Sequence, residues 1–447
     1  MAQGEGDAAL KRRSTIALSF LALIAVGAVA LMSPWARAAG TWGDIDTALF
    51  TAFSAVCVTG LTVVDIGVEY SFAGQVVLLV LVEVGCLGLM TCSTFLLVAI
   101  GRRLSLSREF SLMNAYGVAE VQGLRGLIVW VVGSMVVVES IGAALFYLLR
   151  FHNWYYAVFY SVMSFCNAGF GVLPGSLASF ADDPYVILVA AGETMLGGIG
   201  FLVIYNLCTF KFLRRKTGGR GRLSLHSAVV IRYTFYLLAL TFAVFLALEW
   251  NESLAGFGVA KKLWVGFYQA VTPRTCGFCV IPTENLQPLT LHVYEALMFI
   301  GGAPGSAAAG IKVTTLAVLI ASLRAMCRGD QETIISARSI PYDVVRESLV
   351  IVVAMLVFIW VTTGALSVTE AGRGTSPSAL FFEAVSAVTT TGLSVGSTTA
   401  GLSTAGRAVI MVAMFIGRLG ALTVVMMIGN RESKRHVRFP TEEIVVG

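Results

Sequence analysis

Residues 159–170 read FYSVMSFCNAGF, and three other stretches of the chain align with this one without a gap. They read FTAFSAVCVTGL at 50–61, FYQAVTPRTCGF at 267–278 and FEAVSAVTTTGL at 382–393. Each stretch begins with Phe and has Gly at its eleventh position, followed by Leu or Phe. The glycines recur about every 110 residues, which indicates one structural unit repeated four times along nearly the whole chain.

Each of the four stretches lies between two long apolar runs. Its first ten residues are apolar with a few polar side chains, which is typical of a buried helix, and the glycine is followed by a polar turn. We therefore predict a unit made of a membrane span, a half-length re-entrant helix, an extended loop and a second span. Four units give an all-α polytopic membrane protein, with eight transmembrane helices around a pseudo-fourfold pore.

The composition agrees with a membrane protein and excludes a water-soluble one. Of the 447 residues, 57% are apolar and only 13% are charged, whereas soluble domains have about 25% charged residues. Several apolar runs reach the roughly 20 residues that cross a bilayer. The predicted divisions are a tail at 1–13, repeat 1 at 14–101, repeat 2 at 124–211, repeat 3 at 227–325 with a broken second span at 301–312, repeat 4 at 343–430 and a tail at 431–447.

Basic residues are concentrated in five short patches, and the connections between these patches carry mainly acidic residues. The positive-inside bias then places the five patches and both termini in the cytoplasm. The first apolar run follows Lys11, Arg12 and Arg13 and imitates a signal peptide, but it is longer than a signal core, so we predict that it is retained as a span. Patches separated by apolar spans do not form the continuous basic face that nucleic acid requires.

The re-entrant units predict a cation path. Non-helical backbone at membrane depth is tolerated where it lines a water-filled passage, and the negative end of a re-entrant helix favours a cation there. Carbonyl groups after the helix can replace an ion's hydration shell, and glycine allows four such strands to crowd one axis. For a single stretch, helix packing or a C-cap would explain the glycine equally well. The common register of all four predicts a selectivity filter made of Val58, Thr59, Gly60, Asn167, Ala168, Gly169, Thr275, Cys276, Gly277, Thr390, Thr391 and Gly392.

Residues 301–312 read GGAPGSAAAGIK and interrupt the second span of the third repeat. Pro and several Gly break a helix and leave unpaired backbone in mid-membrane. We predict this break in the third repeat only, an asymmetry that suits a gate; a packing kink is the alternative. Arg418, a lone charge in the last span, must face a cavity or a partner, while Lys312 is predicted to snorkel to the cytoplasmic surface. The predicted gate residues are Gly301, Gly302, Ala303, Pro304, Gly305, Ser306, Gly310, Lys312 and Arg418.

Catalysis has no candidate residues in the sequence. We find neither a Ser/His/Asp set nor paired carboxylates, and the pair Cys276 and Cys279 lacks the second pair that a zinc or redox site would need. Glu83, Glu193 and Glu295 stand near the start of second spans, where we predict structural hydrogen bonds to re-entrant backbone. The sequence therefore predicts no enzyme and no organic cofactor.

These motifs resemble the Trk/Ktr/HKT superfamily of K⁺ transporters, and most of all its KtrB membrane subunits, over residues 14–447. The segments CVTG, CNAGFG, TPRTCGF and TTTG are similar to the four pore loops of that family, and the 301–312 motif is similar to an intramembrane loop that blocks its pore. Members that prefer Na⁺ often have Ser at the first filter glycine, so Gly60 implies K⁺. The family commonly has Ser-Thr-Ala-Gly-Gly where this chain has SAAAG at 306–310, so a hydroxyl of the gate is missing here. The family also has a basic residue at the position of Arg418 that reaches this loop, so the resemblance implies that Arg418 bonds carbonyls or hydroxyls of residues 302–306.

The resemblance also implies partners. The short segment before the first span and the C-terminal FPTEEIVVG are similar to the KtrB branch, whereas the TrkH branch has two further N-terminal spans. It implies a homodimer in the cell membrane that rests on a cytosolic ring of nucleotide-binding, KtrA-like subunits, with the basic loops 211–232 and 324–346 supplying docking surface. K⁺ would be the transported ion and Na⁺ a possible second one.

Two alternatives remain open from the sequence. A secondary transporter for Na⁺ or a small solute would use the broken span at 289–325 to bind its substrate at the midplane, although such proteins usually have two repeats. A membrane scaffold that transports nothing would show no ion permeation.

Overall fold

The computed structural model describes residues 2–102, 123–216 and 223–420. The predicted C-terminal tail, the end of repeat 4 and part of the basic loop 211–232 lie outside these residues. The helices are α1 (Ala2–Met32), α2 (Ile45–Val56), α3 (Ile66–Glu69), α4 (Phe72–Arg102), α5 (Gly123–Phe146, continued by a π-helical turn over Tyr147–Phe151), α6 (Trp154–Phe165), α7 (Pro184–Ile199), α8 (Phe201–Lys216), α9 (Leu225–Glu249), α10 (Val259–Val271), α11 (Pro288–Phe299), α12 (Val313–Arg328), α13 (Tyr342–Thr369), α14 (Pro377–Val388), α15 (Thr398–Gly401) and α16 (Thr404–Leu419).

The described part of the chain is mostly helical. By length and composition, α9, α13 and Val129–Phe151 can each cross a membrane, and Pro184–Ile199 with Phe201–Thr209 can form a fourth, bent span. The arrangement of eight spans therefore stays a prediction. α1 begins at Ala2, so its helix extends into the predicted tail at 1–13.

Four short helices of 12 or 13 residues end directly before the four repeated glycines. We call α2, α6, α10 and α14 the pore helices. Three of them begin at a side chain that accepts a hydrogen bond from the first turn, namely Asp44, Asn153 and Ser376. Such caps fix where a helix starts, so the start of the helix and the glycine after it together set its length.

The four repeats form a closed ring. The second span of each repeat packs against the pore helix of the next, in the pairs α4 with α6, α7 with α10, α11 with α14, and α16 with α2. The last pair joins the end of the described chain to its beginning. This cyclic order holds the four pore helices around one centre.

Two features differ from the predicted architecture. The second span of the third repeat is broken as predicted, but that of the second repeat is also broken, with a bend of 95° at Gly200. Gly200 has a φ of +87°, which ends α7 and turns the chain into α8. The expectation of a break in the third repeat only is therefore wrong.

The second difference is a small hairpin in a chain predicted to be all-α. Strands β1 (Thr333–Ile335) and β2 (Arg338–Ile340) pair antiparallel between α12 and α13. Ser336 and Ala337, with φ of +51° and +60°, form the two-residue turn that matches the twist of a hairpin. Ile335 packs onto α12, which gives the hairpin an apolar anchor.

Candidate functional site: four loops around one centre

The four predicted filter loops have the same backbone conformation. In each loop the glycine has a positive φ, between +69° and +90°, and so does the residue two positions before it. These residues are Val58, Asn167, Thr275 and Thr390, with φ of +54°, +58°, +67° and +48°. A positive φ is rare for any residue except glycine and rarest for β-branched ones such as Val and Thr. Its recurrence at one position in four loops shows that the repeats share this geometry.

Three of the loops are held to their pore helices by the same hydrogen bond. The amide of the residue before the glycine donates to the carbonyl five residues earlier, from Thr59 to Ser54 at 2.8 Å and from Ala168 to Met163 at 2.9 Å, and likewise from Thr391 to Ser386 at 2.8 Å. The third loop differs, because Cys276 donates to Thr272, four residues earlier, at 3.1 Å. The third loop, which contains Pro273, is therefore anchored to its pore helix by a different bond from the other three.

The four glycines face each other in sequence order. A side chain at Gly60 would collide with the carbonyl of Ala168, and one at Gly392 would collide with the carbonyl of Thr59. One at Gly169 would lie 2.9 Å from the Cys276 oxygen, and one at Gly277 would lie 2.8 Å from the Thr391 oxygen. Each repeat therefore places its glycine against the main chain of the next, and the fourth closes onto the first. The structure brings all twelve predicted filter residues together in this ring.

A cavity of about 460 Å³ opens on the ring. Its lining includes all four glycines and the polar side chains Asp65, Ser176, Ser394 and Thr399 from the loops that follow them. The cavity is large enough for several waters, so a hydrated ion can reach the glycines.

Glycines of the second spans allow the pore helices to come close. A side chain at Gly85, Gly197 or Gly417 would collide with the last carbonyl of the pore helix in the same repeat, that of Val56, Phe165 or Val388. In the third repeat the matching glycine, Gly301, instead lies against Ala309. The third repeat has therefore exchanged this helix contact for the 301–312 loop.

The 301–312 loop is tightly bonded and largely buried. A parallel bridge joins Ile300 to Ile311, and Val313 N donates to Gly302 O at 3.0 Å. The loop is also tied to the broken span of the second repeat, where Ala303 N donates to Gly198 O at 2.9 Å and Phe201 N donates to Gly305 O at 3.2 Å. The two broken spans satisfy each other's backbone, as non-helical chain inside a membrane requires.

Arg418 bonds the same loop, one residue beyond the predicted range. Its Nη1 donates to Ala307 O at 2.7 Å, and its Nη2 lies 3.3 Å from Gly85 O. The predicted partners at 302–306 are therefore wrong in detail, although the link between Arg418 and the loop is present. Arg418 is only 2% exposed, so it connects repeats 4, 3 and 1 inside the protein.

Lys312 also points to the loop. Its Nζ donates to Ala308 O at 2.7 Å. The prediction that this side chain snorkels to the cytoplasmic surface is therefore wrong. The four smaller residues that complete the predicted gate, Gly301, Pro304, Ser306 and Gly310, lie in the same loop, and Ser306 Oγ donates to Ala303 O at 2.7 Å.

The three singled-out glutamates have side-chain partners rather than re-entrant backbone. Glu193 Oε1 accepts from Ser161 Oγ at 2.5 Å, and Glu295 bonds His292 at 2.8 Å. A carboxylate oxygen of Glu83 lies within 4.8 Å of one of Glu139, a residue that sequence reasoning missed. The structure thus contains a pair of carboxylates that the sequence analysis did not find. The sequence signal for it was Glu139 itself, which is the one acidic residue in the apolar run VVVESIG.

A second missed residue is Arg274, which lies inside the third filter loop, three residues after the end of the pore helix. Its side chain reaches Thr234 at 3.5 Å, and its Nε has no partner among the described residues. Arg274 and Gly302 line the same small cavity of about 10 Å³, so the third filter loop adjoins the 301–312 loop. As with Arg418, a lone charge in apolar sequence was the signal.

The sequence and fold match known transporters. The TrkH family, described as cation transport protein, matches residues 7–436. The Ktr system potassium uptake protein B of Bacillus subtilis (strain 168) is 35% identical over 442 residues, covering 97% of this chain and 96% of that protein. The potassium/sodium uptake protein NtpJ of Enterococcus hirae is 33% identical over 443 residues, covering 97% of this chain and 96% of that protein.

The fold comparison agrees. The crystal structure of the potassium transporter TrkH from Vibrio parahaemolyticus superposes with a TM-score of 0.73 at 17% identity, covering 94% of this chain and 85% of that one. The predicted resemblance is therefore confirmed, and the family is one of cation transporters rather than enzymes. With its four glycine loops, its buried 301–312 loop and this match over nearly its whole length, the chain belongs to the TrkH family of cation transport proteins.

Proposed function

We propose that this protein takes up K⁺ across the cell membrane through a filter formed by the four glycine loops. The observation that carries the proposal is the closed ring in which each glycine lies against the main chain of the next repeat. Potassium uptake is also the named role of the two relatives compared above. A ring of main-chain carbonyls can replace the hydration shell of a passing cation.

The path begins in the 460 Å³ cavity above the ring. There the ion exchanges water for carbonyl oxygens of residues 58–60, 167–169, 275–277 and 390–392. The C-terminal ends of the four pore helices all lie next to the ring, and their negative dipole ends favour a cation there. Positive φ at two residues of each loop is a conformation that turns neighbouring carbonyls to one side of the strand.

The 301–312 loop is proposed as the gate. It adjoins the third filter loop through the small cavity shared by Arg274 and Gly302. To open, the loop must give up the bonds that Ala303 and Gly305 make to the second repeat and the bond from Arg418 to Ala307. The ion then leaves toward the cytoplasm.

Regulation by a cytosolic nucleotide-binding ring, and assembly as a homodimer with both termini inside, are proposed from the family resemblance. The segment from α12 to the start of α13 offers a basic surface for such a ring, since four arginines there are exposed: Arg324, Arg328, Arg338 and Arg346. Na⁺ is a second candidate ion, because one relative is named a potassium/sodium uptake protein.

The competing function is that of a secondary transporter, and the observation in its favour is the contact between the two broken spans. In such proteins broken helices bind the substrate at the midplane. Here, however, most of residues 301–311 are buried against protein, and the cavity that Gly302 lines is about 10 Å³. That volume holds about one water, which is too small for a solute.

The test compares two Gly→Ser variants of the purified protein in liposomes. Ser at Gly60, where φ is +90° and a side chain meets Ala168, must displace the ring, so we expect the Na⁺/Rb⁺ uptake ratio to rise about tenfold, a loss of about 1.4 kcal/mol in selectivity. Ser at Gly256, which has open space around it, is the matched control and should change nothing. An unchanged Na⁺/Rb⁺ uptake ratio in G60S would contradict the proposal that the four glycine loops form the selectivity filter.

A further inference from the structure

A largely buried cluster of acidic and thiol side chains lies at the end of the second pore helix, one residue before the second filter loop. Glu83 comes from α4, Glu139 from α5, and Cys166 caps the C-terminus of α6. One ligand atom from each lies within 4.8 Å of the other two. Cys86, one turn after Glu83, lies beside Cys166 and brings a second sulfur near the cluster.

Two carboxyl groups this close together suit a bound cation. A cation between Glu83 and Glu139 would neutralise both groups, which is how buried charges are normally balanced.

A fourth element points to the same place. Glu193 on α7 is only 4% exposed, and its Oε2 has no hydrogen-bond partner among the described residues. Its other oxygen lies against Gly142, one turn after Glu139 on α5. Ser161 Oγ lies 2.5 Å from that oxygen and 2.7 Å from the backbone carbonyl of Glu139, so it links Glu193 to the turn of α5 that carries Glu139. Glu193 thus brings a carboxylate oxygen with no partner among the described residues to this part of α5.

We propose that Glu83, Glu139 and Cys166 bind a divalent transition ion of the zinc class, with Cys86 or Glu193 completing four-fold coordination. Sulfur and carboxylate oxygen are ligands of Zn²⁺, whereas K⁺, Mg²⁺ and Ca²⁺ take oxygen ligands in larger number. The ion would tie α4 and α5 to the residue that directly precedes filter residue Asn167.

The binding test starts from a protein in which Cys208 and Cys327 are both changed to Ser. These two cysteines are exposed and would otherwise bind metal without a built site. After chelator treatment and gel filtration, the purified protein is titrated with Zn²⁺, and the bound metal is counted by mass spectrometry. Cd²⁺ in a parallel titration reports a sulfur ligand through its ultraviolet charge-transfer band. We expect one ion per chain, with the Cd²⁺ band, in the presence of excess K⁺ and Mg²⁺.

Three substitutions locate the site. Cys166→Ser should lower the Cd²⁺ band by at least half, and Glu139→Gln and Glu83→Gln should each weaken zinc binding at least tenfold. Gln keeps the size and shape of Glu. At least one of these two variants should therefore elute at the native position on gel filtration even if the Ser variant does not. Glu295→Gln, a buried acid that bonds His292 elsewhere, is the control and should bind normally.

Two outcomes would overturn the proposal. The first is that the starting protein binds no more zinc than a variant that carries all three substitutions. The other is equal affinity in a native-like Glu139→Gln or Glu83→Gln variant and the starting protein, which would mean that the ion binds elsewhere.

Discussion

Val58, Thr275 and Thr390 show how single residues are forced into the filter geometry. All three are β-branched and hold a positive φ, which costs about 1–3 kcal/mol at each position when the surrounding structure imposes it. Two of the three loops are held by an amide hydrogen bond to a carbonyl of the pore helix, and the third is held by the hydrogen bond from Cys276 N to Thr272 O. The strain is thus compensated by contacts that also set the spacing of the ring.

Arg418 gives the first prediction at this scale. Arg418→Gln removes the donors to Ala307 and Gly85 and leaves at least one buried carbonyl unpaired, a cost of about 1–3 kcal/mol. We expect faster Rb⁺ flux into liposomes without any partner and a lower temperature of unfolding in detergent. Arg373→Gln, at a half-exposed position, is the control and should match the parent protein. Equal flux in all three proteins would exclude Arg418 from the gate.

Arg274 carries a separate prediction, because its charge stands at the negative end of the third pore helix. A fixed cation there opposes an ion in the ring, so Arg274→Gln should lower the Rb⁺ concentration needed for half-maximal uptake severalfold. Uptake kinetics in liposomes measure this value. A higher value, with native elution on gel filtration, would mean that Arg274 serves the fold of the loop alone.

At the scale of elements, the two broken spans act as one unit. Gly200 ends α7 with a φ of +87°, and a side chain there would lie 2.9 Å from Pro304 O. The hydrogen bonds from Ala303 N to Gly198 O and from Phe201 N to Gly305 O join the same two segments. A change on the second repeat should therefore alter the loop of the third.

Gly200→Ala tests this coupling. Gly200 has a φ of +87° and a ψ of 145°, a conformation almost confined to glycine, so alanine there costs about 1–3 kcal/mol, and the added methyl group presses on the loop. We expect a lower unfolding temperature together with increased Rb⁺ leak. Gly192→Ala lies inside α7 with open space around it and should instead stabilise the helix by about 0.5–1 kcal/mol. If G200A loses stability but keeps the Rb⁺ flux of the parent protein, the bend at Gly200 does not influence the gate.

The sequence predicted the elements that depend on local pattern. Four helices before four glycines and the broken span at 301–312 follow from composition and spacing, and the structure has them. The bend at Gly200 was missed because the sequence does not indicate which glycine of a glycine-rich run has a positive φ. Glu139 was missed because its partner Glu83 is on another span, and apolar periodicity does not tell which spans touch.

At the scale of the molecule, the ring depends on the contact between its last and first repeats. Arg407 on α16 bonds Asp46 on α2 at 2.7 Å, and both side chains are about four-fifths buried. This pair joins the two ends of the described chain beside the packing of α16 on α2.

A double-mutant cycle measures the contribution of this closing contact. With Asp46→Asn and Arg407→Gln, we expect a coupling free energy of about 1 kcal/mol from unfolding in detergent, above the few tenths typical of exposed pairs. The pair Arg150 and Asp183, which is 3.7 Å apart with Arg150 mostly exposed, is the comparison and should show less. Equal, near-zero coupling in both pairs would mean that the ring is closed by apolar packing alone.

The departure of the third repeat from the other three has a wider consequence. In a channel assembled from four identical chains, any substitution occurs four times around the axis, so no single quarter can specialise. Here the quarters are parts of one polypeptide, and only one has exchanged its glycine contact at Gly301 for an inserted loop. Selection can therefore reshape the barrier in one quarter while the other three keep the ion-binding geometry, and permeation and control can evolve under separate constraints within one gene.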